Sequence, residues 1–88
     1  MATNTNIAAV PLYPVGGTTN EGYKIAVIDS GAKAAQNDTW TITNASSIVW
    51  AGITLDATGA AEAHTISSNV ITLTGATGTA CSGIIVYR

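Results

Sequence analysis

Few side chains in this sequence could do chemistry, and each can be weighed by its neighbours. The run Ile25-Ala26-Val27-Ile28 ends in Asp29-Ser30-Gly31. An aspartate at the end of an apolar strand can hold an imidazole in the orientation that activates a serine. Two such aspartates can instead share a proton around a water. His64, the sole histidine, is a candidate pH-sensitive contact. Cys81, the sole cysteine, would be a nucleophile only beside a base, and no base is identifiable next to it. Gly75-Ala76-Thr77-Gly78-Thr79 has the glycines of a phosphate loop but neither its lysine nor the helix that should follow, so it reads as a turn. Trp50 and Tyr87 offer apolar ring faces on which a sugar could stack.

The Asp29-Ser30-Gly31 run resembles two protease signatures. One is the aspartate-bearing strand of subtilisin-like serine proteases. The other is the Asp-Ser/Thr-Gly-Ala of retroviral-type aspartic proteases, which Ala32 extends by one residue. The rest of either pattern is missing. His64 lies in Glu62-Ala63-His64-Thr65-Ile66, not at a glycine-rich helix start. In Ser82-Gly83-Ile84-Ile85 the glycine precedes the apolar pair, and three residues are too few for a C-terminal helix. Asp-Ser-Gly is also good turn chemistry after a strand. The expectation is therefore a turn at Asp29, Cys81 as a small buried hydrophobe, and a protein that is not an enzyme and carries no cofactor or metal.

The elements that would position these residues read as strands. Residues 23–28 are β-branched and bounded by turns; 39–43 alternate strictly, with Trp40 and Ile42 on one face and three threonines on the other. Further strands are expected over 48–55, 61–67, 70–74 and 81–87, with Gly52 as a bulge or close-approach point and Ser67-Ser68-Asn69 as a hairpin turn. No segment sustains a helical period. About six evenly spaced strands predict an all-β fold, a small antiparallel β-sandwich or barrel. The expected core is Ile25, Val27, Trp40, Ile42, Val49, Ile53, Leu55, Ile66, Ile71, Leu73, Ile84 and Val86. Thr39, Thr41, Thr43, Thr72 and Thr74 would form a flat neutral face, of the kind that invites pairing with other chains.

Residues 1–20 differ from the β domain of 21–88. They hold both prolines, Pro11 and Pro14, with Gly16-Gly17 and spaced apolar residues. Proline biases its neighbours to extended backbone and removes a ladder donor, so this is an extended N-terminal arm. Its apolar residues Ile7, Val10, Leu12, Tyr13 and Val15 are the candidate interface. They dock on a partner or tuck against the arm's own domain.

Composition narrows the function classes. An 88-residue chain buries about 63% of its unfolded surface, leaving roughly 4,800 Å² exposed, which is marginal for a domain alone. One cysteine excludes an internal disulfide, and one histidine with scattered carboxylates disfavours a metal staple, which leaves oligomerisation, as a trimer or dimer. Charged residues make up 9% of the chain, against about 25% in ordinary soluble domains. A net charge of −2 argues against nucleic acid as a partner and against docking on acidic membranes. Neutral Thr, Ser and Asn suit a surface covered by other protein. No basic leader and no apolar run of spanning length is visible, so synthesis in a reducing cytoplasm is expected.

The runs Ser68-Asn69-Val70-Ile71-Thr72-Leu73-Thr74 and Gly78-Thr79-Ala80-Cys81-Ser82-Gly83-Ile84-Ile85-Val86-Tyr87, joined to a Thr/Asn/Ala-rich arm, resemble small virion proteins of tailed bacteriophages. The nearest picture is a capsid decoration, or cement, protein. The resemblance implies a multimeric β domain located in the virion, seated between major capsid proteins, with the arm adding contacts to the shell. Tail or baseplate components share this composition. The other readings are a carbohydrate- or surface-binding β module using Trp50 and Tyr87, and a minimal dimeric aspartic protease using Asp29.

Overall fold

The fold was analysed in a computed structural model. The structure describes residues 2–14, 22–76 and 78–88, those of 11–14 by their backbone. The chain is all-β among these residues. Its strands in order are β1 (Asn4–Ile7), β2 (Pro11–Pro14), β3 (Lys24–Gly31), β4 (Asp38–Ile42), β5 (Ile48–Leu55), β6 (His64–Ser67), β7 (Val70–Leu73) and β8 (Cys81–Tyr87).

They form two four-stranded sheets. Sheet I has the order β1-β4-β7-β6 and sheet II the order β2-β3-β8-β5. All pairings are antiparallel except β1 on β4, which is parallel. Trp40, Ile42, Ile71 and Leu73 of sheet I meet Ala26, Ile28, Ala51, Ile53, Cys81, Ile85 and Tyr87 of sheet II in one buried core. This is a β-sandwich-like arrangement, with side chains of the two inner faces forming the core between them.

Two strands more than expected come from the N-terminal stretch, and both lie at sheet edges. Pro11 and Pro14 lack the N–H that an inner strand must donate, and β2 occupies an edge, where that lack is harmless. The chain before it is tied to sheet I. Asp38 Oδ1 accepts the Thr3 N–H at 2.8 Å, and the Thr39 N–H donates to the Thr3 carbonyl at 2.9 Å. The Asn44 amide grips Ala9 twice, accepting its N–H at 2.9 Å and donating to its carbonyl at 2.7 Å.

The expected core is right for sheet I and out of phase for half of sheet II. Val27, Val49 and Ile84 are exposed rather than buried, Ile25 and Val86 are half-buried on the outer side, and the interior takes Ala26, Ile28, Cys81, Ile85 and Tyr87. Residues 25–28 and 84–87 are apolar or small at both parities, so alternation does not fix their phase. Tyr87, the bulkiest of them, faces inward and carries Ile85, Gly83 and Cys81 with it at period two. Ala26 and Ile28 lie opposite Ile85 and Gly83 and share their face. Leu55 and Ile66 pack only partly buried against the core.

Candidate interaction surface

The two outer faces of the sandwich differ in chemistry. Outward on sheet I are Asn4, Asn6, Thr39, Thr41, Thr65 and Thr72, brought into rows by the register. Asn4 Oδ1 accepts from the hydroxyls of Thr39 and Thr41, each at 2.8 Å, and the Asn4 amide donates to Asn6 Oδ1 at 3.0 Å. This face is neutral, internally hydrogen-bonded and polar apart from Val70, which stands between Thr41 and Ser67.

The outer face of sheet II is aliphatic. Ile25 stands opposite Val86, and Val86 opposite Trp50; in the next row Val27 stands opposite Ile84, and Ile84 opposite Gly52. Val27 is 51% exposed, Ile84 46% and Trp50 56%. The irregularity between Ile48 and Trp50 leaves Val49 exposed beside them. Glycine at 52 has a local reason, since a Cβ there would lie 2.6 Å from Trp50 Cη2. The indole lies across the bare backbone and continues the apolar surface over it. Single exposed apolar residues are ordinary, whereas a contiguous face of them marks an interaction site.

Among the described residues, charge sits only at the ends of this face. Beyond Val27 comes Asp29, and beyond Ile84 comes Ser82, whose hydroxyl donates to Asp56 Oδ1 at 2.5 Å. At the opposite end Arg88 follows Val86 by two residues, donates to the Tyr23 hydroxyl at 2.6 Å and stacks 4.4 Å from that ring's centroid. Lys24 has the inward parity of its partner Tyr87, its ammonium 5.8 Å from that ring's centroid, and is not on this face. Among the described residues the remaining charged groups, Lys33, Asp38 and Glu62, are buried.

The residues singled out for chemistry are placed as follows. Ser30 takes a left-handed backbone, φ 55°, in the irregularity where β3 leaves register with β8, and its N–H donates to Ser82 Oγ at 2.8 Å. Gly31 lies under the Trp40 indole, whose Cε2 would stand 2.9 Å from an added Cβ. The motif thus has a structural use, as a bulge followed by a seat for Trp40. Asp29, expected in a turn, lies instead within β3, exposed beside Ser30. His64 lies in the other sheet, its Nδ1 3.0 Å from the Glu62 carbonyl. Cys81 is buried, and burial, with a smaller contribution from Glu62, pushes its thiol up, away from a nucleophilic thiolate. Trp50 and Tyr87 lie on opposite sides of sheet II, the first exposed and the second buried, so they form no common platform. Burial also raises the Tyr87 phenol.

Of the arm residues, Ile7 packs against the core of its own domain and Val10 is 76% exposed. Leu12 and Tyr13 lie within β2, the latter opposite Ile25. Val15, like the rest of 15–20, lies outside the described residues. Sequence reasoning missed the buried pair Lys33–Glu62, 3.2 Å apart. Both partners also hold the backbone of Gly75: Lys33 donates to its carbonyl at 2.8 Å, and Glu62 accepts its N–H at 2.8 Å. The available signal was a lone charge set among alanines in each case, Ala32-Lys33-Ala34 and Ala61-Glu62-Ala63.

No protein family matches the chain, no curated protein matches it in sequence, and no solved structure matches it.

Proposed function

We propose that this protein works by binding and assembly, without catalysis, and that it is a structural virion protein, a capsid decoration or cement protein. The observation that carries the reading is the contiguous apolar outer face of sheet II, on a domain with hardly any surface charge to keep it dispersed. Such a face is suited to being covered by protein. The neutral Thr/Asn face of sheet I and the exposed Val10 offer a second surface with no ions to desolvate. The resemblance of residues 68–87 to small phage virion proteins supplies the setting, in which the partner is a major capsid protein or another virion protein.

A cement protein binds the assembled lattice better than free subunits and so stabilises the shell by linkage. The experiment is co-sedimentation of the purified protein with the shells of the virus that encodes it. Saturable pelleting, with a rise in the temperature at which the shells come apart, is the expected result. Failure to pellet with any assembled particle overturns the proposal.

A second reading is favoured by one observation, the exposed Trp50 indole whose six-membered ring stands over Gly52. It makes the protein a surface- or carbohydrate-binding module of a tail. Glycan-array binding that Trp50→Ala abolishes would support it over the first.

A further inference from the structure

We propose that the outer face of sheet II is covered by a second copy of this chain, in a two-fold dimer whose facing strands run antiparallel. The inference rests on reading that face as an interface and adds what covers it and in which orientation. The argument is one of self-complementarity. A two-fold interface uses the same patch on both copies, so each element must meet its own complement across the axis. This patch is apolar in the middle, with Ile25, Val27, Trp50, Ile84 and Val86, and bears opposite charge at its two ends. Asp29 and Asp56 stand at the end where β8 begins, and Arg88 stands where it finishes.

Two orientations of the axis are open to a face-to-face pair. With the axis along the strands, Arg88 meets the second copy's Arg88 and the carboxylates meet carboxylates. With the axis across the strands, near the Ile84 and Val86 rows, the ends exchange, and Arg88 of each copy lies over Asp29 and Asp56 of the other. Like-charge juxtaposition at an interface selects against the first arrangement, and opposite charge favours the second. Aligned sheet packing, within about 30° of parallel strand axes, accommodates it.

The size of the face sets the strength. The face is made by β3, β8 and β5, of eight, seven and eight residues; at about 4.8 Å between strands and roughly 3.3 Å per residue they make a patch of roughly 400 Å² per copy. The pair buries about 800 Å², below the roughly 1,200 Å² of stable interfaces, so the dimer is a weak one, on the order of 100 micromolar. This geometry also sets the two Asp29 carboxylates at opposite ends of the interface, roughly 20 Å apart, too far to share a proton.

The test is sedimentation equilibrium of the full chain with circular dichroism as the check on folding. The wild type is expected to be a monomer–dimer equilibrium over roughly 10–500 micromolar, loosened by salt. Ile84→Lys and Val27→Lys, both at already exposed positions, should give folded monomers. Arg88→Glu should weaken the dimer about tenfold, and adding Asp29→Lys and Asp56→Lys to it should restore the affinity. A wild-type monomer or trimer overturns the inference, as does a folded Ile84→Lys dimer, or a dimer that Arg88→Glu tightens. Should both lysine variants misfold, the charge variants at the ends decide alone. A dimer that fails to pellet with shells would remove the cement proposal and leave this inference standing; a monomer that pellets would do the reverse.

Discussion

Trp40 and Gly31 are matched pieces: the indole rests where a side chain at 31 would stand, and its Nε1 donates to the carbonyl of Ala32 at 2.9 Å. The contact joins the two sheets, since Trp40 is in β4 and Gly31 ends β3. Gly31→Ala should therefore push the largest side chain of the core off its seat. Overpacking of this kind costs about 1–3 kcal/mol. Urea denaturation followed by tryptophan fluorescence reads the loss, and an unchanged midpoint would show that the ring can shift freely.

The Lys33–Glu62 pair should behave as a buried ion pair. Lys33→Met leaves the Glu62 carboxylate buried against the Gly75 N–H without its cation, and should cost about 3 kcal/mol. Lys33→Met combined with Glu62→Leu removes both charges and should recover most of that loss. The comparison of the two single variants with the double by denaturant titration is the check; a double loss equal to the sum of the single losses would mean the charges are not coupled.

Acid should loosen the attachment of the N-terminal strand. Asp38 is held below its ordinary value of 3.8, first by the N–H of Thr3, then by those of Ala34 and Ala35. Its folded pKa is the lower one, so its contribution is complete above the unfolded value and is lost as pH falls through the folded value. Thermal stability should decline over that acid window, and Asp38→Asn should flatten the decline. A wild type and variant with parallel pH profiles would refute this.

Deleting residues 2–9 should destabilise the domain itself. The deletion strips β4 of its parallel neighbour, removes Ile7 from the core edge and leaves the Asn44 amide without Ala9. The lost hydrogen bonds and apolar burial amount to about 3 kcal/mol. Circular dichroism melts of the full and shortened chains measure it; identical melts would mean these residues contribute only to contacts with other molecules.

What the sequence made legible follows from where alternation was unambiguous. Thr39-Trp40-Thr41-Ile42-Thr43 has one apolar and one polar parity, and β4 faces as expected. Ile25-Ala26-Val27-Ile28 and Ile84-Ile85-Val86-Tyr87 have no polar parity, so the face that becomes the candidate site was indistinguishable from core. The decision there belongs to long-range fit: Tyr87 fills the interior, and Val27 and Ile84 are left outside. The two edge strands were hidden for a related reason. Proline argues against a strand in general, and only the sheet order reveals that Pro11 and Pro14 lie where no partner asks for their N–H.

The position of β8 bears on how the chain acquires its fold during synthesis. It is the latest strand in chain order, yet it lies between β3 and β5 at the centre of sheet II, pairing Lys24 with Tyr87 across most of the sequence. Until it emerges from the ribosome, β3 lacks its main partner and β5 has none in its sheet. A topology so dominated by distant pairings closes its loops late and folds on the slow, millisecond-to-second side. The nascent chain must therefore hold strand-forming segments with open edges in solution while it waits.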